Sequence, residues 1–545
     1  MPKVVPVPVK EYLITEKESF HQLTPTTTNP HTPDRISRGR PALPSKTKLK
    51  IKQLHTKISR MKKQVEKLAE YREHPTVPMI MKRIKNLGVP HHVYEFISAQ
   101  LTAISTKKGP QGRRWTSTSK KVALSIYYHS RKAYRLLRKL FVLPHRTTLQ
   151  SILRKSKICP GFHEQVLQTI KYRVQSMAES EKDCVLCFDE MSIKSGRSYD
   201  AEHDCLEGVE DFCHLGRSKT LASHALVFMV RGISVTWKQA VGYFLSSGSA
   251  SSKNLSLLLK DCIARLSQIG LRVRAVVCDQ GPTNQKLLRE LNVGPNHPYF
   301  EFEGSKVHVL FDPPHLIKNV RNTLRKHDFV NGQEVYSCSD ISKFYDFDFV
   351  RIAPKLTDEH LTLPAFSSMK VKLATQVLSH SVAAGISSLS TAGYLPEKSQ
   401  NTAKFIEDMD RLFDIFNSKS IKSKKPYMAG FSGAKLQADH LQKMLNIFQN
   451  MKTNESRSLP CFNGWQISIK SLQNLWDDLS ANPSHTHILT NRLNQDCLEN
   501  FFGSVRSSGV TRDNPNAQQF RAAYRMIFAN QVFTHTTGQN CETES

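Results

Sequence analysis

Between residues 51 and 68 apolar side chains recur at Ile51, Leu54, Ile58, Met61, Val65 and Leu68, in alternating steps of three and four. That spacing is a heptad seam on one helix face and predicts a short coiled coil over 46–73. In a parallel homodimer Lys57 at a g position would face Lys62 at an e position of the second copy, a like-charge contact that weakens self-pairing. Three shorter segments follow, TSTSKKVALSIYYHS, RKAYRLLRKLF and LPHRTTLQSILRK. They read as helices with caps at Ser117 or Thr118, Ser130 and Thr147 and a turn at Pro144. From 183 the period shortens. DCVLCFDEMSI reads as a strand ending in Asp189 and Glu190, ALVFMVRGI and TWKQAVGYFL as two more, and a helix spans 253–269. RVRAVVCDQG and KVHVLFD are further strands, each followed by a helix, the first through Leu287 and Leu288 and the second at PHLIKNVRNTL.

The resulting order, β-β-β-α-β-α-β-α, is that of an RNase H-like fold. Beyond it LATQVLSHSVAAGI, AKFIEDMDRLFDIF and KLQADHLQKMLNIFQNM are helical in period, and LNQDCLENFFGSVR is a good amphipathic helix. If that last helix belongs to the core, the fold class is α/β: an RNase H-like core interrupted by a mostly α-helical insertion, preceded by a helix-turn-helix and a short coiled coil. The corresponding boundaries are a disordered basic and Pro-rich tail over 1–45, the coiled coil over 46–73 and a helix-turn-helix region over 75–160. The first part of the core then takes 180–325, the insertion 326–485 and the last part of the core 486–535.

Charge changes the picture from fold to partner. The chain of 545 residues carries a formal charge of +30, for which a polyanion, nucleic acid first, is the simplest partner. Between Glu95 and Glu164 there is no Asp or Glu. Within that stretch Arg113, Arg114, Lys120, Lys121, Arg131, Lys132, Arg135, Arg138, Lys139 and Arg146 are interleaved with Tyr127, Tyr128 and Tyr134. A solvated helix face would explain a charge run; exclusion of every acid favours contact with the phosphates of double-stranded DNA. No run of about 18 apolar residues and no signal-peptide pattern occurs. The eleven cysteines are irregularly spaced and read as reduced thiols, so nucleus or cytosol is expected.

Phosphodiester chemistry needs hard oxygen ligands for a pair of divalent ions, which gives acids at strand ends a purpose. Asp189 and Asp279 occupy such positions, although a strand-terminal Asp commonly only caps the next turn. For a third acid the residues leave two choices. Asp312 directly follows a strand but precedes Pro-Pro as a helix cap would, whereas Glu499 lies on a helix with Asp496 on the same face. Cys184 and Cys187 would face opposite sides of a strand, which argues against zinc. His203, Cys205, Cys213 and His214 bracket GVED, read as an ordinary β-hairpin turn. His308 reads as a core residue, and His315 as a capping residue or one approaching the acids. Trp237, Trp465 and Trp476 read as core, and Trp115 lies in the basic segment.

Taken together, FDEMSIK, CDQGPTNQKLL, FDPPHLIKNVRN, FIEDMDRLFDIFNS and LNQDCLENFFGSVRSSGVTRDNPNAQQFRAAYRM resemble the P element transposase family, including its relatives with an N-terminal THAP zinc finger. The likeness runs from about Arg114 to Met526. It implies an RNase H-like domain interrupted by a GTP-binding insertion, acting in the nucleus on double-stranded DNA with Mg²⁺ or Mn²⁺. It implies Asp189, Asp279 and Glu499 as the metal-binding catalytic acids, preferring Glu499 to Asp312, and Lys355, Val371, Asp414, Asn417 and Asp496 as nucleotide contacts. The GFSGAK stretch is too short for a phosphate-binding glycine loop, so GTP rests on the resemblance alone. A THAP finger needs early cysteines, and the first here is Cys159. Three readings result: a DDE-type DNA transposase or domesticated descendant, a non-catalytic DNA-binding protein, and a GTP-responsive assembly factor, with self-association through the coiled coil.

Overall fold

The computed structural model describes residues 44–534 apart from 74–75, 106–112, 155–157, 201–203, 365, 456–458 and 509–513. Most of the predicted tail, residues 1–43, and His203 lie outside the described residues. The chain divides into two compact units, Met1–Arg83 and Ile84–Ser545. In the first, one helix, Ser45–Glu73, carries the heptad positions, and Ile51, Leu54, Ile58, Met61, Val65 and Leu68 stand 41 to 65% exposed along it.

The second unit is built on a nine-stranded sheet. Its strands are β1 (Gly161–Phe162), β2 (Asp183–Ser192), β5 (Val209–Asp211), β6 (Arg217–Leu221), β7 (His224–Gly232), β8 (Lys238–Ser246), β9 (Arg272–Cys278), β10 (Tyr299–Phe302) and β11 (Ser305–Phe311). A separate hairpin pairs β3 (Ser198–Asp200) with β4 (Cys205–Glu207). The order is β10-β11-β9-β2-β7-β8-β5-β6, with β1 on β8. β11, β9 and β2 run parallel, whereas β2, β7 and β8 form an antiparallel meander. The near-continuous apolar runs in β2 and β9 follow from burial: Cys184 to Phe188 and Ala275 to Cys278 are at most 1% exposed. Parallel strands covered on both faces lack the alternation of a half-wet sheet.

Two local expectations shift. β2 does not stop at Asp189 and Glu190; it continues to Ser192 because β7 pairs with it as far as His224, while β9 leaves it after Cys187. GVED is not the turn of a hairpin. Gly208, at φ 87°, separates β4, which pairs with β3, from β5, which pairs with β6 and β8.

The basic segment folds into helices Ser117–His129, Arg131–Leu140 and Arg146–Arg154. Ser130 caps the second by accepting from Ala133 N, as expected, but the first is capped by Thr116 rather than Ser117 or Thr118. The Tyr134 hydroxyl donates to Pro144 O at 2.7 Å, fixing the turn before the third helix. The C-terminal helix Ala517–Thr534 packs on this group, placing Met526 and Ala529 beside Ala123 and Leu124.

Between β11 and the last core helices lie mostly helices, among them Cys338–Phe347, His380–Thr391, Ser399–Phe416 and Lys435–Asn450. The helix Pro460–Ser480 packs on β11, where the Ser468 hydroxyl accepts from Phe311 N at 2.9 Å and the Ser471 hydroxyl donates to Val309 O. Chain that reads as insertion thus supplies a wall of the sheet. Among the described residues no helix is long and apolar enough to cross a membrane.

Candidate active site

The site forms where β9 parts from β2. Parallel registers pair Cys187 with Val277 and Phe311 with Cys278, so Asp279 and Asp312 directly follow the ends of β9 and β11, and Asp189 lies on β2 two residues past its last pair with β9. Asp189 Oδ1 accepts from Glu190 N at 2.8 Å. Asp279 closes an Asx turn, its Oδ1 accepting from Gly281 N at 3.0 Å and from Asn284 Nδ2 at 2.5 Å. Gln280, next to it, donates to Pro460 O. Asp312 is 1% exposed. It caps the helix Pro313–Leu324 through His315 N at 3.0 Å, and its other oxygen accepts from Gln495 N at 2.7 Å.

The helix Asp496–Ser507 brings Glu499 to this edge. Glu499 Oε1 lies 3.9 Å from His315 Nε2, and His315 Nδ1 lies 3.0 Å from Asp312 Oδ2. Buried thiols of Cys187 and Cys497 meet beneath, tying this helix to β2.

The electrostatics agree with crowded acids. Burial, then the charge of Asp279, pushes the Asp189 carboxyl up to about 7. Glu499 is raised by burial and by Asp312, against the opposing pull of His315 and Lys318. Burial would lower His315, but the adjoining Asp312 carboxylate, together with the charge of Glu499, outweighs that and raises it. Lys318 is lowered by burial. A carboxylate that neighbours hold part-neutral is a fit for a divalent cation, and Asp189, Asp279 and Glu499 offer the hard oxygens such ions take. Among the described residues no three His, Cys, Asp or Glu side chains close around one point. An open two-ion site leaves coordination positions to water and phosphate oxygens and needs no such cage.

The nucleotide candidates are dispersed. Asp414, raised by burial, shares its surroundings with Asp410, itself pushed up to about 6 by burial and by Asp414, and with Lys425. Asn417 ends the helix Ser399–Phe416, and the next residue, Ser418, donates and accepts with Thr490 at 2.9 to 3.1 Å, just before the Glu499 helix. Asp496 accepts from Asn494 Nδ2 at 2.8 Å. Lys355 is exposed and Val371 begins the helix Val371–Val377; no hydrogen bond or ion pair among the described residues ties either to Asp414.

Of the basic candidates, Arg114, Arg131, Lys132, Arg135, Arg138, Lys139 and Arg146 are exposed, and Arg113, Lys120 and Lys121 are half-buried. Tyr127 and Tyr134 are buried in an edge-on pair at 5.4 Å, so they build the core beneath the basic face. His308 is buried against Asp478 at 2.7 Å. Trp237 and Trp465 are core residues, Trp476 is partly buried against it, and Trp115 lines a small cavity beside Glu95. Sequence reasoning missed Asn284 and Gln495. An Asp two residues before a glycine signals the turn that Asn284 braces, but nothing local marks Gln495.

Four family models match the chain: the TNP-like RNase H N-terminal domain over 158–292, the TNP-like GTP-binding insertion domain over 314–429, the TNP-like RNase H C-terminal domain over 491–525, and the transposable element P transposase-like HTH domain over 89–151. The Transposable element P transposase of Drosophila melanogaster is 32% identical over 429 residues, covering 76% of this chain and 54% of the relative. The DNA transposase THAP9 of Homo sapiens is 26% identical over 461 residues, covering 77% and 49%. The chain spans about half the length of these curated relatives. The solved Drosophila P element transposase strand transfer complex matches with a TM-score of 0.70 and 29% identity, covering 80% of this chain and 96% of that one.

Proposed function

This chain belongs to the P element transposase family, and from that premise we propose that it cuts DNA strands and transfers the freed ends, using Asp189, Asp279 and Glu499. The observation that carries the proposal is that Asp189 and Asp279 follow the last β2–β9 pair, two residues beyond it on each chain segment, with Asp189 pushed up to about 7 by burial and by the charge of Asp279. Two acids so placed oppose each other until a cation joins them.

Asp189, Asp279 and Glu499 would hold a pair of Mg²⁺ or Mn²⁺ ions, which when bound supply Lewis-acid activation of the attacking and leaving oxygens. The chain's own residues provide the frame. Asp279 is braced by Gly281 and Asn284, and Glu499 arrives on a helix whose first turn packs on β2. Lys318 and, when protonated, His315 would place positive charge beside the acids, where phosphate oxygens would lie. In the cutting step water adds to phosphorus and a P–O bond of the strand breaks, leaving a 3′-hydroxyl. In the joining step that hydroxyl gives up its proton and attacks a phosphodiester of a second strand; a new P–O bond forms, the target's own P–O bond breaks, and its oxygen leaves as a free 3′-hydroxyl.

The exposed Arg131, Lys132, Arg135, Arg138 and Lys139 would hold duplex phosphates. The insertion would bind GTP through Asp414, Asn417, Lys355 and Val371, with Asp496 supplied by the last part of the core, and the exposed seam of Ser45–Glu73 would pair with a second copy in the nucleus. Metal-dependent nicking of duplex oligonucleotides tests the reading. Wild type should nick with Mg²⁺ or Mn²⁺ and Asp279→Asn should not; no nicking by wild type, or nicking that does not depend on Asp279, would remove the catalytic reading and leave that of a DNA-binding protein. GTP affinity lost in Asp414→Ala tests the nucleotide assignment.

A further inference from the structure

Asp312 follows its strand as Asp279 does, and by position alone it could be another ion ligand. Its contacts assign it differently. Oδ2 accepts from His315 N at 3.0 Å and lies 3.0 Å from His315 Nδ1, while Oδ1 accepts from Gln495 N at 2.7 Å. Both oxygens are occupied, and the side chain is 1% exposed. Reaching an ion would strip a buried carboxylate of its donors.

These bonds reach the backbone beside each of the three acids. Asp312 N donates to Cys278 O at 2.9 Å, one residue before Asp279. Gln495, 0% exposed, donates from Nε2 to Phe188 O at 2.7 Å, one residue before Asp189 and just past the point where β9 stops pairing with β2. The Gln495 carbonyl accepts from Glu499 N at 3.0 Å and from Leu498 N at 2.8 Å, opening the helix that carries Glu499. Two side chains therefore join, each by one hydrogen bond, main-chain segments 183 and 307 residues apart in sequence.

We propose that Asp312 and Gln495 are positioning residues, a buried hydrogen-bonded frame that sets the separation of Asp189, Asp279 and Glu499 without touching the ions or the DNA. The frame rests on the two-ion reading for its purpose but not for its existence. Groups that orient metal ligands typically change metal affinity by about 10- to 100-fold when removed.

The test uses the full chain with Gln495→Met, which keeps the side-chain length and removes the donor, together with Asp312→Ala and Asp312→Asn. Hydrogen exchange of the Leu498 and Glu499 amides and Mn²⁺ binding followed by electron paramagnetic resonance are the readouts. Gln495→Met should speed exchange at those two amides about tenfold, leave the amides of β2 before Cys187 unchanged, and weaken Mn²⁺ about tenfold. Asp312→Asn, which keeps an acceptor for Gln495 N, should recover part of what Asp312→Ala loses; where Asp312→Ala does not fold, Gln495→Met decides. Wild-type exchange and wild-type Mn²⁺ affinity in Gln495→Met would overturn the frame. Wild-type protein whose Mn²⁺ binding does not depend on Asp189 would instead overturn the two-ion reading, and exchange alone would then decide the frame.

Discussion

Replacing Asp189 with Asn should stabilise the metal-free protein at neutral and alkaline pH. The Asp189 carboxyl moves from an ordinary 3.8 to about 7 in the folded chain, through burial first and the charge of Asp279 second. Between those values the folded state keeps the proton while the unfolded state has lost it. The unfolded state then binds fewer protons, so stability falls as pH rises from about 4 to about 7 and stays lower above. The interval corresponds to about 4 kcal/mol. Asn carries no charge to bury, so the gain of Asp189→Asn should be near zero at pH 4 and complete by pH 8. For a unit this large a melting point moves by roughly 1–2 °C per kcal/mol, giving a rise of roughly 4–8 °C at pH 8. Thermal melts of both proteins in EDTA at pH 4, 6 and 8 provide the assay. Adding Mn²⁺ at pH 8 should stabilise wild type by mass action and leave Asp189→Asn nearly unmoved. Equal melting points in EDTA at pH 8, or a lower one for the variant, would refute the crowding of acids on which the site rests.

Acid should act oppositely on His163, 6% exposed, hydrogen-bonded to Cys159 O at 2.9 Å and lowered to about 4 by burial. Its unfolded state takes the extra proton below about 6.5, so its share of stability is lost as pH falls from there to about 4; urea midpoints of His163→Phe and wild type should converge over that range if the variant removes this sensitivity. Alanine at Arg131, Lys132, Arg135 and Arg138 together should weaken duplex binding at every sequence and reduce the salt slope by up to about 3–4, near 0.9 per phosphate contact, read from binding between 50 and 200 mM salt. Ile58→Asp, at an exposed seam position, should convert dimers to monomers in sedimentation equilibrium; a wild-type monomer at the same concentration would remove the coiled-coil pairing.

Periodicity made the elements legible because burial imposes it locally. The apolar run through Val185 and Leu186, the heptads from Ile51 and the cap at Ser130 each depend on neighbours within a few residues. Fine boundaries depended on partners: β2 outlasts Asp189 because β7 continues beside it, and the helix Pro460–Ser480 faces β11 through Ser468 and Ser471.

By itself, then, the sequence determined the kinds of elements, their order, the basic face and which acids stood at chemically meaningful positions, since these follow from short-range pattern and charge. Only the tertiary structure decided what meets what. That Asp312 spends its oxygens on His315 and Gln495, and that Gln495 reaches Phe188, are contacts across 183 and 307 positions. No local pattern encodes them, because a hydrogen bond between distant segments exists only once the sheet has brought their backbones within 3 Å.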